Sequence, residues 1–137
     1  MPEVLRTVIA VDKSLEPGAV ANVSAIVMGQ LARLEPGIYA DDVRDRAGVL
    51  HAGIRFNTVV LSGRTGHLAQ LVEAASAQGL RPVVFTSEGR TLSNSFDTYR
   101  ALVTDASPAE LGICAVGVTG EDTAVRALTK RFSVYRG

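Results

Sequence analysis

The sequence has no tryptophan, a single cysteine (Cys114), two histidines, and lysine only at Lys13 and Lys130. Each shortage excludes something. One cysteine rules out an intrachain disulfide and leaves no thiolate cluster for a metal. His51 and His67 are not at the i, i+4 spacing of a helical metal pair, and no acidic cluster partners either, so neither a metal nor a cofactor is expected. An excess of charge of one sign is absent too: Lys plus Arg and Asp plus Glu are 14 each, for a formal net charge of zero. With no global field, binding to nucleic acid is not expected, and only arginines clustered on one face would support it. No apolar run approaches the length that crosses a bilayer. The apolar stretch Val8–Val11 ends at Asp12 and is too short for a signal-peptide core. The expected location is the cytoplasm, without membrane contact. No serine sits in a nucleophile-elbow sequence, which argues against a triad hydrolase.

What is present fits one folded domain over residues 1–137. The chain is 47% hydrophobic and 20% charged, an ordinary balance for a protein able to bury a core. Val4 to Val11 is rich in β-branched residues and reads as a buried strand. Val20, Val23, Val27, Leu31 and Leu34 then recur at helical spacing, and small residues between them let the helix lie close to a sheet. Pro36-Gly37 stops it. Residues 41 to 48 are polar and charged and read as a surface loop, with Asp41, Asp42 and Asp45 solvated beside Arg44 and Arg46. His51-Ala52-Gly53-Ile54 reads as a short strand or a turn into one. Thr58–Leu61 is a strand, and Thr65 can cap a helix whose buried stripe is Leu68, Leu71, Val72 and Ala75. Gly79 falls where a left-handed C-terminal cap belongs. Pro82–Phe85 is the third strand.

Ser87 to Ser95 has no apolar period and is expected as a loop. Asn94 with Asp97 reads as a helix start, with Tyr99, Leu102 and Val103 on its apolar side. Leu111–Val118 is the fourth long strand. Cys114 lies within it and reads as a small buried hydrophobe. Thr119-Gly120-Glu121-Asp122 reads as a cap followed by first-turn acids. Val125 and Leu128 face inward on the last helix, and residues 132–135 can add a short closing strand. Strands alternating with helices define an α/β layer structure with at least part of the sheet parallel. Sites in such sheets gather at the carboxyl ends of strands: here Asp12, Ser62-Gly63-Arg64, Thr86-Ser87-Glu88 and Thr119-Gly120.

Three local patterns carry a resemblance. They are Val11-Asp12-Lys13-Ser14-Leu15 with Pro17–Asn22, then His51-Ala52-Gly53-Ile54, and the tail Val116-Gly117-Val118-Thr119-Gly120 leading to Ala124-Val125 and Leu128-Thr129 before Phe132. Together they cover most of the chain. It resembles the type 2 peptidyl-tRNA hydrolases and, more closely, the domain-of-unknown-function family 2000. The resemblance implies a three-layer α/β/α sandwich around a mixed, roughly four-stranded sheet, and a homodimer. The departures bear on function. The hydrolases carry a lysine in a glycine-rich turn at the start of the first helix, and this chain has no lysine between Lys13 and Lys130. Asn22 stands near the place of the hydrolases' glutamine, and no histidine occurs in the helix. Gly89-Arg90-Thr91 is present, but Ser87 and Glu88 precede it where the hydrolases place an aspartate.

The candidate site residues are Asp12, Asn22, His51, Ser87, Arg90 and Thr91. Asn22 offers one acceptor and two donors to a ligand or an oxyanion; otherwise it bonds a neighbouring loop. His51 can act as a base or a donor near neutral pH, or it is a histidine satisfied by backbone at a strand entry. Asp12 ends the first strand, and either serves a site or caps the turn around Ser14. Ser87, Arg90 and Thr91 can hold an anion at a strand end, or form a solvated turn. Ser62-Gly63-Arg64-Thr65-Gly66 has glycines before a helix but lacks a Walker lysine and a dinucleotide spacing. His67 reads as a surface residue in the first turn of that helix.

The reading that follows is a module that binds a small-molecule ligand or a partner and lacks the hydrolase lysine. The alternative is a hydrolase of an acyl or aminoacyl ester, with Asn22 and a nearby acid positioning water. RNA binding without catalysis is a third reading.

Overall fold

The computed structural model describes residues 4–137. Strand β1 spans Leu5–Asp12 and leads through a tight turn into helix α1, Pro17–Leu34. A 3₁₀ turn at Pro36–Ile38 ends that segment. A two-stranded hairpin follows, β2 (Val43–Arg44) with β3 (Leu50–His51), then β4 (Thr58–Gly63) and α2 (Thr65–Ala77). The chain continues as β5 (Val83–Thr86), a short helix α3 (Ser87–Thr91) and α4 (Phe96–Thr104). It closes with β6 (Ile113–Glu121), α5 (Asp122–Leu128) and β7 (Ser133–Val134).

The main sheet has five strands in the order β5-β6-β1-β4-β7. It contains the four expected long strands plus the short closing one. β1 and β4 run parallel, while β6 is antiparallel to both β1 and β5. The polarity of β6 corrects one expectation. Its carboxyl end pairs with the beginning of β1, Thr119 opposite Thr7 and Gly120 opposite Arg6. Thr119-Gly120 therefore lies at the edge of the sheet away from Asp12, Gly63 and Thr86.

Alternation along β1 divides the core. Val8 and Ala10 join a cluster with Leu68, Leu71 and Val72 of α2 and Val125 of α5. Ile9 and Val11 join another with Val20, Val23, Val27 and Leu31 of α1. Successive strand side chains point to opposite faces, so α1 packs on one face of the sheet and α2 with α5 on the other. Burying each of these aliphatic side chains contributes about 1.5–3 kcal/mol before chain entropy is charged against it. Gly117 lets α1 approach closely: a Cβ there would stand 2.6 Å from Val27 Cγ1.

Other expectations are also corrected. The charged stretch 41–48 is exposed but holds β2, and Asp45 bonds the backbone N–H groups of Ala47 and Val49 to shape the hairpin turn. Residues 87–91 are helical, because the Thr86 hydroxyl accepts the Gly89 N–H and supplies the cap that loop composition hid. Thr65 caps nothing; α2 begins after Arg64 without a side-chain cap. At α5 the cap is Glu121, which accepts from Thr123 and Ala124 N–H, while the Thr119 hydroxyl bonds Thr7 within the sheet. The segment from Asn94 enters its helix at Phe96 after Ser95, and none of its residues is fully buried. Gly79 has the left-handed φ of +80° expected of it.

Candidate functional site

β1, β4 and β5 end at one edge of the sheet, and β6 starts there. Asp12 is held in place. Its Oδ1 accepts from Ser14 N at 3.0 Å and Ser14 Oγ at 3.1 Å, and its Oδ2 accepts from Thr65 Oγ1 at 3.0 Å. This carboxylate fastens the turn after β1 to the first residue of α2.

At the neighbouring corner the pairing of β5 with β6 slips. Phe85 pairs with Ala115 but Thr86 with Ile113, which leaves Cys114 as the extra residue of a β-bulge. The bulge turns Cys114 and Ala115 into the same cluster beneath α1. Cys114 is 4% exposed, and burial pushes its pKa up despite the nearby Arg90 guanidinium. It is packing rather than a reactive group.

The corner is then locked by backbone. Ser87 N–H donates to Gly112 O at 2.8 Å, and the Glu88 carboxylate accepts Gly112 N–H at 3.0 and 3.3 Å. The backbone N–H groups of Glu88 itself and of Gly112 hold the Glu88 carboxyl below its ordinary range. Gly89 is buried because the Phe85 and Tyr99 rings occupy the space a Cβ would need, at 2.6 and 3.0 Å.

This corner and α1 border an open hollow of about 540 Å³, lined by Asn22, Ile26, Phe85, Ser87, Arg90 and Thr91, with Gly89 and Ser93 completing it; Asn22, Ser87, Arg90 and Thr91 are all exposed. The structure thus brings together Asn22 from α1 and Ser87, Arg90 and Thr91 from α3. The Thr91 hydroxyl donates to Glu88 O at 3.1 Å and keeps its lone pairs. Among the described residues Arg90 takes part in no ion pair. The Glu88 carboxylate does not line this pocket, so nothing acidic in the lining neutralises the guanidinium.

His51 is not brought to this pocket. It lies on the exposed hairpin, with Nε2 2.8 Å from Asp45 Oδ2, beside a separate hollow that includes Tyr39 and Asp41. His67 sits half-buried in the first turn of α2, its ring edge-on to Phe132. Among the described residues no three His, Cys, Asp or Glu side chains are grouped so as to hold a metal ion. Among the same residues no helix is long and apolar enough to cross a membrane.

Ile26 and Phe85 line the hollow although the sequence does not mark them as site residues. One signal was available: Ile26 falls off the buried Val20-Val23-Val27-Leu31 period, one turn from Asn22 and one from Gln30, marking a second stripe along the helix.

The fold and the corner pocket define an α/β protein with a mixed five-stranded sheet and a polar hollow at a sheet edge. The chain belongs to the family described as protein of unknown function (DUF2000), which matches residues 5–136. It is similar to a solved structure of a protein of unknown function from Agrobacterium tumefaciens strain C58. The TM-score is 0.86 at 15% identity, covering 99% of this chain and 100% of that one. At that identity the likeness concerns the fold alone. None of the curated proteins compared with the chain matches it.

Proposed function

We propose that the protein is a small-ligand-binding module whose site is the hollow between α1 and the β5–α3 corner. The carrying observation is the convergence of Asn22 with Ser87, Arg90 and Thr91 on one pocket from distant parts of the sequence. The lining offers many donors, from one guanidinium, one amide and several hydroxyls. It contains no histidine, lysine or carboxylate, so no general acid or base is within the pocket. That supports binding over the alternative, hydrolysis of an acyl or aminoacyl ester, as does the missing lysine of the first helix.

We also read the helices on both faces of the sheet as a three-layer α/β/α sandwich related to the type 2 peptidyl-tRNA hydrolases. A single domain, a homodimer and a cytoplasmic setting belong to the same proposal. Arg90 is the one basic residue in the lining of this hollow, and a single cation there does not favour RNA as its occupant.

The test is a metabolite screen read by thermal shift and by amide NMR. A ligand that binds only the folded state raises the melting temperature. A stabilising compound that shifts the Gly89 and Arg90 amides, and loses its effect in Arg90→Gln, supports the proposal. A broad screen without such a compound overturns it. Turnover of an N-acyl-aminoacyl-tRNA that depends on Asn22 would restore the hydrolase reading.

A further inference from the structure

The corner hollow does not end at its polar lining. A second cavity of about 180 Å³ lies beside it, lined by Ile26, Val27, Val83, Val84, Phe85 and Tyr99, with Gln30 at its border. The two share Ile26 and Phe85. They therefore adjoin across Ile26 and Phe85, the donor-rich hollow on the Asn22 side and the apolar one on the Gln30 side, and are treated together as one cleft. Ile26 is 44% exposed although it is a large aliphatic side chain, and β5 is an outer strand of the sheet. A molecule lying in the cleft would cover both.

We infer that the cleft takes a small carboxylate with a compact apolar tail, its head on Arg90 and Asn22 and its tail between Ile26, Phe85 and Tyr99. This rests on the ligand-binding reading above and names its ligand class. An anionic head is the match for this end, which presents an exposed planar cation that no described residue pairs with, flanked by an amide and hydroxyls and by no acid. Guanidinium and carboxylate match in shape as well as charge. The tail is bounded by volume. At about 30 Å³ for each water-sized group, the apolar cavity holds roughly six such groups, the size of a pentyl chain or one phenyl ring. The Phe85 and Tyr99 rings that close on Gly89 give the tail aromatic walls.

The experiment is an NMR titration of the whole protein with acetate, butanoate, hexanoate, decanoate and, as a neutral match, hexan-1-ol. Kd is expected to tighten about fourfold per added methylene up to hexanoate and then to level off. Hexanoate should bind at least tenfold more tightly than hexanol. The perturbed amides should be those of Val83, Val84, Gly89 and Arg90. Arg90→Gln should erase the preference for carboxylate over alcohol. Ile26→Asp, at an exposed helix position that tolerates charge, should erase the dependence on chain length.

Equal binding of hexanoate and hexanol by the wild type, or no dependence on chain length, overturns the ligand class. If a compound of another class from the metabolite screen then shifts Gly89 and Arg90, the binding site stands and only the class falls. If neither the carboxylates nor the screen perturbs those residues, both readings fall.

Discussion

Glu88 and Gly112 are joined by a carboxylate that spreads both oxygens over one backbone N–H, at 3.0 and 3.3 Å. The bond clamps the start of α3 to the residues entering β6, and so fixes one wall of the corner hollow. Glu88→Ala should cost about 1.5–3 kcal/mol in urea unfolding, the worth of a hydrogen bond to a charged group. Glu88→Gln keeps an acceptor and should lose less. The pH response separates the two forms. The folded carboxyl is held below its ordinary value of 4.5, so its stabilisation is fully present above that value and is lost as pH falls through the lower folded pKa. Wild type should therefore lose more stability than Glu88→Gln on acidification from about pH 5. Parallel pH curves for the two proteins would contradict this.

Asp12 and Asn22 should respond in opposite ways. Asp12 accepts three hydrogen bonds from Ser14 and Thr65, and Asp12→Ala should destabilise by roughly 1–2 kcal/mol while leaving ligand affinity largely intact. Asn22 is exposed, and Asn22→Ala should move stability by no more than about 0.5 kcal/mol while weakening binding. Denaturation curves and a ligand titration on the two variants are sufficient. The reverse pattern would mean that the carboxylate, rather than the amide, serves the site.

Gly117→Ala should destabilise by about 1–3 kcal/mol, the range for forcing a methyl group into a filled core. The new Cβ would meet Val27 Cγ1 at 2.6 Å and Ile9 Cδ1 at 3.3 Å. Combining it with Val27→Ala should cost less than the sum of the single changes, because the second variant removes the colliding atom. Strict additivity in a double-mutant cycle would show that the sheet yields elsewhere.

The hairpin carries its own titration marker. Asp45 is held below its ordinary value of 3.8, first by His51 and then by the Val49 N–H. His51→Ala should raise the Asp45 pKa towards 3.8, followed by NMR of the side-chain carboxyl. A depressed folded pKa contributes stability above the unfolded value and loses it on acidification. The variant hairpin should therefore be less sensitive to acid than the parent. An unchanged Asp45 titration would assign the shift to the turn backbone alone.

Much of the architecture was legible because its signals are periodic. The helical spacing of Val20, Val23, Val27 and Leu31, and that of Leu68, Leu71, Val72 and Ala75, each marked a face that the structure buries. What escaped notice depends on contacts between distant residues. A single hydroxyl, Thr86, turns an apparently loop-like stretch into α3, and composition carries no trace of it. The direction of β6 follows from how the chain crosses the sheet, so Thr119 could not be placed at its true edge. At the candidate site, residue type singled out Asn22, Ser87, Arg90 and Thr91, which line one hollow, and equally Asp12 and His51, which do not line it. The apolar companions of the first four looked like ordinary core until the two cavities could be traced past Ile26 and Phe85.

The central position of β1 has a consequence for synthesis. Its flanking strands are β4 and β6, with Leu5 pairing to Glu121. At roughly 5–20 residues per second, the interval between making the two is on the order of ten seconds. Throughout it, one edge of an aliphatic strand has no native partner, and contacts so distant in sequence also form slowly. The nascent chain should therefore depend on a chaperone or on delayed collapse until β6 emerges. Truncation before residue 113 should leave an aggregating product rather than a smaller folded one.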